Sequence, residues 1–278
     1  MIRAARHADI SRAVPLLARA FSSYRDALIY TPEVLSFFER AWWRPPHGVV
    51  AELEGELVGV AFVGHRRARF EGQRLLVASI GPVAVEPSLQ RTGLGSALMM
   101  ALKSDADLLT LTTNDSEGVR PFYEALGFQV LEHFVPWVRD LDGHIPAMPS
   151  MAAPRTGAII EEPVEVGECF RVGNAEIHAI QWPVTSRRAG RRAQLRTCQV
   201  LGRSGGGPEL AKALEQTCAW ARTGSCELIW ARPDIADGLP GFELGVGPGV
   251  SRMIKPRTAL GEAVGCAARC YTPSGPSP

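Results

Sequence analysis

The sequence contains no apolar run of about 18 residues, so no segment is expected to cross a membrane as a helix. Charge of neither sign is in excess, because 30 basic and 29 acidic residues leave a net charge of +1. This balance gives no electrostatic reason to expect nucleic acid or an anionic membrane as a partner. The N-terminal stretch MIRAARHADI also lacks the apolar core of a secretion signal. We therefore expect a cytoplasmic protein with neither nucleic acid nor a membrane among its partners.

Sequence motifs for metal binding are missing as well. No two cysteines form a C-x-x-C pair, and no two histidines stand at the spacing of a zinc site. We expect no metal site, and without a secretion signal the thiols should be reduced and mostly structural. All the cysteines fall in the second half of the chain, at Cys169, Cys198, Cys218, Cys226, Cys266 and Cys270.

A strand, a glycine-bearing loop and a helix follow one another directly in the first half. An apolar strand is predicted from Leu75 to Val85, and Pro87 ends it. A run of helix formers begins at Gly93. Glycines at 93 and 95 let the backbone approach a ligand closely, and the helix start offers unpaired N–H groups with a positive dipole end. Such a place suits a phosphate or pyrophosphate group.

Two familiar phosphate-binding loops do not fit this stretch. A dinucleotide-binding fingerprint needs a third glycine, and the loop has only G-x-G, which disfavours an oxidoreductase. A P-loop needs a lysine, and the loop has none. The segment from Gln90 to Gly95, QRTGLG, instead resembles the acetyl-CoA-binding motif of the GNAT superfamily of N-acetyltransferases. Tyr123, followed four residues later by Gly127-Phe128, matches a second mark of that family.

The order of predicted elements matches the fold that this resemblance implies. The first half reads as strand, two helices, three antiparallel strands, helix, strand, helix and strand, with helix starts near Asp9 and at Thr31-Pro32. The implied fold class is α+β, a mixed and mostly antiparallel central sheet flanked by helices. Its central strands are expected to splay apart and admit the cofactor.

The resemblance implies acetyl-CoA as the acyl donor. The loop would hold its pyrophosphate, and the backbone of the preceding strand would hydrogen-bond the pantetheine amides and the thioester oxygen. Many family members place Asn seven residues before the tyrosine, where this chain has Ser116, with Asn114 two residues earlier. The predicted cofactor-binding residues are Val83, Ala84, Val85, Gln90, Arg91, Thr92, Gly93, Leu94, Gly95, Ser96, Asn114 and Ser116.

By family position, Tyr123 is the general acid that protonates the departing sulfur. A phenol, with a pKa of about 10, can donate to a thiolate whose acid has a pKa of about 8.5. The alternative is a tyrosine that only packs. For the base that takes a proton from the amine, the candidates are Glu33, His65 and Glu71, and water is a further alternative. No base is assigned.

The second half resembles a degenerate copy of the first. A strand over Gln194–Leu201, a glycine loop over Arg203–Pro208 and a helix over Glu209–Ala221 follow in order, without the Q-x-x-G-x-G motif or the tyrosine. We expect a non-catalytic domain that completes the substrate cleft or a dimer contact. The predicted division is a catalytic domain at 1–141, a linker at 142–156, a smaller GNAT-like α/β domain at 157–270 and a disordered tail at 271–278.

The sequence therefore predicts an acetyl-CoA-dependent N-acetyltransferase that acts on a primary amine of a small molecule or peptide by direct attack. Transfer of another acyl group, or transfer to an oxygen acceptor, remains an alternative, because no residue of the loop is expected to distinguish acyl groups or acceptors. The alternative from another class is a non-catalytic acyl-CoA binder or sensor. A homodimer is a candidate assembly.

Overall fold

The computed structural model describes residues 1–24, 30–41, 48–70, 73–114, 118–134, 137–141, 160–161, 167–182, 196–226, 228–231, 233–236, 239–244 and 250–263. The first half has the predicted order of elements. They are β1 (Ile2–Ala4), α1 (His7–Ala20), α2 (Pro32–Ala41), β2 (Gly48–Leu53), β3 (Glu56–Phe70), β4 (Gln73–Val85), α3 (Leu94–Ala101), β5 (Leu108–Asn114), α4 (Arg120–Ala125), β6 (Gln129–Phe134) and β7 (Trp137–Asp140).

The second half contains more strands than the sequence predicted, because a hairpin precedes the predicted strand, loop and helix. Among the described helices of both halves, none is long and apolar enough to cross a membrane. The elements of the second half are β8 (Ile160–Glu161), β9 (Glu168–Val172), β10 (Ala175–Trp182), β11 (Thr197–Ser204), α5 (Gly207–Thr223), β12 (Leu228–Ala231), α6 (Pro233–Ala236), β13 (Glu243–Leu244) and β14 (Val250–Pro256).

The first two helices begin with side chains that satisfy free backbone N–H groups. At α2 the Thr31 hydroxyl accepts from the Val34 N–H at 3.2 Å, so the predicted start is confirmed. At α1 the helix starts after Arg6, and Asp9 is the third helical residue rather than the cap. Its carboxylate reaches back to accept from the Arg6 N–H at 2.8 Å, as in a capping box.

Asp9 is also the centre of an ion-pair cluster that joins β1, α1 and β2. Arg3 bonds Asp9 at 2.6 Å and Glu52 at 2.7 Å, while Arg12 bonds the same two carboxylates at 3.0 and 2.9 Å. The Asp9 side chain is only 2% exposed. Its hydrogen bond with Arg3 lowers the pKa of Asp9 to about 2.

Replacing Asp9 by Asn should lower the free energy of unfolding at pH 7 by about 1–3 kcal/mol, because a buried charge-assisted hydrogen bond is lost. The folded pKa lies below the ordinary value, so the stabilisation is present above about pH 4 and is lost as the pH falls towards 2. Urea unfolding of wild type and Asp9→Asn should therefore converge over that interval. Glu54→Gln, at an exposed residue, is the control, and equal stabilities at pH 7 would contradict the prediction.

Two sheets are built from these strands, and they exchange strands between the halves of the chain. The first sheet has the order β1-β2-β3-β4-β5-β14-β6, with β8 paired to β3, so a strand from the second half lies between β5 and β6. The second sheet has the order β13-β7-β12-β11-β10-β9, so a strand from the first half pairs with β12. We call this arrangement the strand exchange. The limits at 141 and 157 stay a prediction, and strand pairing crosses them in both directions.

The first sheet is covered by helices on both faces. Alternate residues of β3 point to opposite faces, so Val60 and Phe62 pack with α1 and α2, and Ala61 packs with α3. The second sheet packs against α5. The predicted inward stripe of α5 is confirmed, since Leu210 and Leu214 lie in its core with Cys218 and Trp220 contacts the edge of that core.

Candidate functional site

The two central strands of the first sheet part near their carboxyl ends. β4 and β5 run parallel, and their pairing extends only from Val77 opposite Leu108 to Ser79 opposite Thr110. Beyond this point β4 continues alongside β3, while β5 continues alongside β14. The splayed strands that the resemblance implied are thus confirmed. The gap leaves the β5-facing edge of β4 without a strand partner among the described residues.

Alternation along β4 decides which backbone groups face this gap. The Glu86 N–H donates to the Val58 carbonyl on β3, so the residue before it faces the other way. The Val85 carbonyl accepts from the Gln90 side chain at 3.3 Å, which agrees with this direction. Val83 and Val85 therefore present backbone N–H and C=O groups to the gap, while those of Ala84 face β3.

The loop after β4 exposes the first backbone N–H groups of α3. Arg91 and Gly93 have positive φ angles of 63° and 89°, and the Thr92 hydroxyl donates to the Leu89 carbonyl at 2.8 Å. The first intrahelical bond runs from the Ala97 N–H to the Gly93 carbonyl. The N–H groups of Leu94, Gly95 and Ser96 precede that bond, so they have no carbonyl within the helix.

Gly95 lies where the glycine loop meets the tyrosine-bearing helix. A β-carbon built on Gly95 would lie 3.4 Å from the Phe122 ring, in ordinary van der Waals contact, so only a side chain longer than that of alanine would push α3 and α4 apart. Phe122 immediately precedes Tyr123 and contacts its ring with centroids 5.0 Å apart. The close approach of α3 and α4 thus places the two sequence motifs beside one another.

Tyr123 lies in α4 and packs against the core between the sheet and the helices. Its ring centroid is 6.0 Å from that of Phe128. Burial raises the pKa of the Tyr123 phenol well above its usual range, and the nearby Tyr24 adds to the effect. The hydroxyl therefore stays protonated at physiological pH, as a proton donor requires.

Two further tyrosines, which the sequence analysis did not single out, lie near Tyr123. Burial raises the pKa of Tyr30 well above its usual range, with added effects from Tyr123 and Tyr24. Phe21 stacks on Tyr30 with centroids 5.4 Å apart and meets Tyr24 edge-on at 5.0 Å. Since the chain has four tyrosines, their rarity was the available signal for this cluster.

The second half of the chain supports the helix that carries Tyr123. Lys255, on β14, donates from its ammonium group to the Leu126 carbonyl at 2.7 Å. A cation suits this end of a helix, where carbonyl groups lack partners. The same ammonium lies 6.0 Å from the centre of the Phe128 ring. The sequence analysis missed this contact, because the strand exchange creates it.

The structure gives no support to the remaining predicted cofactor ligands or to the candidate bases. Asn114 ends β5 opposite Val250, and Ser116 lies outside the described residues. Of the candidate bases, His65 is opposite Ala78, where β4 and β5 are still paired, and its Nε2 bonds the Ser104 hydroxyl at 3.0 Å. Glu33 is exposed in the first turn of α2, and Glu71 lies outside the described residues. This geometry favours neither His65 nor Glu33 as the base.

A cavity of about 250 Å³ lies at the other end of α3, between that end and the turn from α4 to β6. Because it adjoins the carboxyl end of α3, it is not the position predicted for the pyrophosphate. Its apolar walls meet three cationic side chains at Lys103, Lys255 and Arg257.

Comparisons with known proteins agree with this geometry. The model of the acetyltransferase (GNAT) family matches residues 17–128. No curated protein sequence matches the chain. Among solved structures, Saccharomyces cerevisiae N-myristoyltransferase with bound myristoyl-CoA and inhibitors is 12% identical with a TM-score of 0.57, covering 92% of this chain and 80% of that one.

Two bacterial structures are similar over nearly the whole chain as well. A GCN5-related N-acetyltransferase from Anabaena variabilis has 12% identity and a TM-score of 0.55, covering 92% of this chain and 72% of that one. One from Kribbella flavida has 12% identity and a TM-score of 0.53, covering 95% and 73%. At this identity the likeness shows a shared fold. Residues 17–128 belong to the acetyltransferase (GNAT) family, which makes this chain an acyltransferase with acyl-CoA as its donor.

Proposed function

We propose that the protein transfers an acetyl group from acetyl-CoA to a primary amine of a small molecule or peptide by direct attack. The observation that carries this proposal is the gap between β4 and β5, where the backbone groups of Val83 and Val85 face away from β3 and have no strand partner among the described residues. The N-terminus of α3 lies at one side of this gap, and Tyr123 approaches from α4. Together they offer a place for the donor's phosphates, its amide-bearing arm and its leaving sulfur.

The donor would bind in an extended form along β4. Its pyrophosphate accepts from the N–H groups of Leu94, Gly95 and Ser96, with the exposed Arg91 side chain beside them. The pantetheine amides pair with Val83 and Val85 as an added strand would. A backbone N–H of β4 donates to the thioester oxygen as negative charge develops there. Gln90 holds the loop against the end of β4 through its bond to the Val85 carbonyl, and Thr92 stabilises the loop through its bond to the Leu89 carbonyl.

Tyr123 protonates the sulfur as the tetrahedral intermediate collapses. Its phenol is neutral and half-buried, so it can give up a proton to a thiolate at the moment the C–S bond breaks. The amine attacks in its neutral form and then loses a proton to solvent, and Tyr123 regains its proton from solvent, so no side chain is assigned as the base.

The acceptor would enter beside α2, where both halves of the chain meet. Trp182, on β10, contacts Phe37 and Phe38 of α2 with ring centroids 5.3 and 5.4 Å apart. This contact supports the role proposed for the second half, a non-catalytic and GNAT-like domain that completes the acceptor cleft. The cytoplasmic location and a homodimer stay predictions.

We expect one active site per chain, because the second glycine loop is followed by a helix with a carboxylate in its first turn. The Glu209 carboxylate lies in the first turn of α5 and accepts from the Asn174 N–H at 3.3 Å, so the turn between β9 and β10 lies against the start of this helix. A carboxylate in this position repels a phosphate group. The second half would therefore bind no acyl-CoA.

Calorimetric titration of acetyl-CoA tests the proposed donor site. We expect one molecule bound per chain and an affinity about tenfold weaker in Gly93→Ala, because a side chain at φ of 89° strains the loop by about 1–2 kcal/mol. Gly55→Ala is a matched control, since Gly55 has φ of 84° and equally open space in the turn between β2 and β3, outside the loop. Equal weakening in both variants, or two molecules per chain, would contradict this site.

A further inference from the structure

Three metal-ligating side chains converge on one face of the hairpin formed by β9 and β10. Cys169 and His178 are directly opposite in register, as are Arg171 and Glu176. Glu176 and His178 are two residues apart on β10, so both point to the face that Cys169 occupies. The ligand atoms of Cys169, Glu176 and His178 all lie within 4.8 Å of one another.

From this geometry we propose that Cys169, Glu176 and His178 bind a zinc ion, with water as the fourth ligand. Zinc binds thiolate, imidazole and carboxylate at about 2.0–2.3 Å in a tetrahedron, which separates a sulfur ligand from a nitrogen ligand by about 3.6 Å. The Cys169 sulfur and His178 Nε2 are 3.9 Å apart, close to that separation. His178 Nε2 also contacts the Glu176 carboxylate directly, and the ion would take the place of this contact.

The surroundings set the strength of the site. The Glu176 and His178 side chains are 26% and 18% exposed, so solvent can supply the fourth ligand. Arg171 bonds the Glu176 carboxylate at 2.5 Å and competes with the ion for it. His178 Nδ1 is buried and bonds no described residue, whereas zinc-binding histidines usually donate from their second nitrogen. We therefore expect a dissociation constant of order micromolar rather than nanomolar.

The ion would join β9 to β10 at the edge of the second sheet, where β9 has no outer neighbour among the described strands. The motifs searched in the sequence could not reveal this site. Six residues separate Cys169 from Glu176, and the three ligands come together only through cross-strand register. The site is independent of the proposed acyl transfer.

The test uses the full-length chain without a histidine tag, stripped of metal by a chelator and titrated with Zn²⁺ and with Co²⁺. We expect one ion per chain, a rise in melting temperature, and a cobalt spectrum with a thiolate charge-transfer band. Cys169→Ser should remove the band, and His178→Gln should weaken zinc binding by at least about tenfold. His7→Gln and Cys270→Ser are the controls and should bind zinc as wild type does.

Glu176→Gln separates ligation by Glu176 from incidental binding. Replacing the carboxylate by an amide should weaken zinc binding several-fold or more, whereas a site without Glu176 as a ligand should not respond. The proposal is overturned by a cobalt complex of the wild-type chain without the thiolate band. It is also overturned by stoichiometric zinc binding that survives both Cys169→Ser and His178→Gln. The cobalt spectrum of the wild type decides the question even if a variant fails to fold.

Discussion

Ending the chain after Leu141 should prevent the first half from folding, although every predicted catalytic and cofactor-binding residue is retained. The truncation removes β14 from between β5 and β6, which then lose their common neighbour. Met253 and Ile254, 0% and 2% exposed, leave the core with it. Losing each such side chain costs about 2–5 kcal/mol. Together this approaches the whole stability of a typical domain, about 5–15 kcal/mol.

Solubility, near-ultraviolet circular dichroism and urea unfolding of the 1–141 fragment measure this effect. The control ends at Cys270, which removes only the predicted tail, and should unfold as the full chain does. Met253→Asp in the full chain should reproduce much of the damage, because it buries a charge beside Phe128. A soluble 1–141 fragment with cooperative unfolding would refute the claim that β14 is essential to the first sheet.

Tyr123→Phe should lower kcat by about 10²-fold or more while leaving acetyl-CoA binding nearly unchanged. General acid catalysis typically contributes about 10²–10⁴ in rate, and the substitution removes one hydroxyl without emptying the packing site. Steady-state kinetics of thiol release, with calorimetric binding of acetyl-CoA, separate the two effects. Tyr271→Phe is the control and should leave both unchanged.

The pH profile adds a second readout to the same substitution. Because the pKa of Tyr123 is raised well above its usual range, wild-type kcat should not fall up to about pH 10. A thioester donor with a more acidic leaving thiol needs less protonation as the thiol departs. Such a donor should therefore restore part of the turnover that Tyr123→Phe loses. Unchanged turnover in Tyr123→Phe would reduce the residue to a packing role.

Local elements were predictable because short-range patterns determine them. Pro87 and Gly93 mark the end of β4 and the start of α3, and Thr31-Pro32 marks the start of α2. The stripe of Leu210 and Leu214 defines the buried face of α5. In each case the deciding residues lie within a few positions of one another, so the sequence alone carries the information.

Partners that lie far apart along the chain could not be predicted in this way. An apolar run such as Val250–Pro256 can pair with any open sheet edge, and its place beside β5 depends on the whole fold. The backbone groups of Val83 and Val85 face the gap while those of Ala84 face β3, and this difference likewise depends on the pairing of β4 with β3. Lys255 and Trp182 reach the first half only through such contacts.

The central claim is catalysis of acetyl transfer at the single gap between β4 and β5, and release of free CoA thiol tests it most directly. The wild-type chain, at catalytic concentration, is given acetyl-CoA and a panel of primary amines, with oxygen acceptors alongside. We expect amine-dependent release over many turnovers, with the acetyl group recovered on nitrogen by mass spectrometry, and a strong loss of this release in Tyr123→Phe. Tight acetyl-CoA binding without release on any acceptor would contradict it and favour an acyl-CoA sensor.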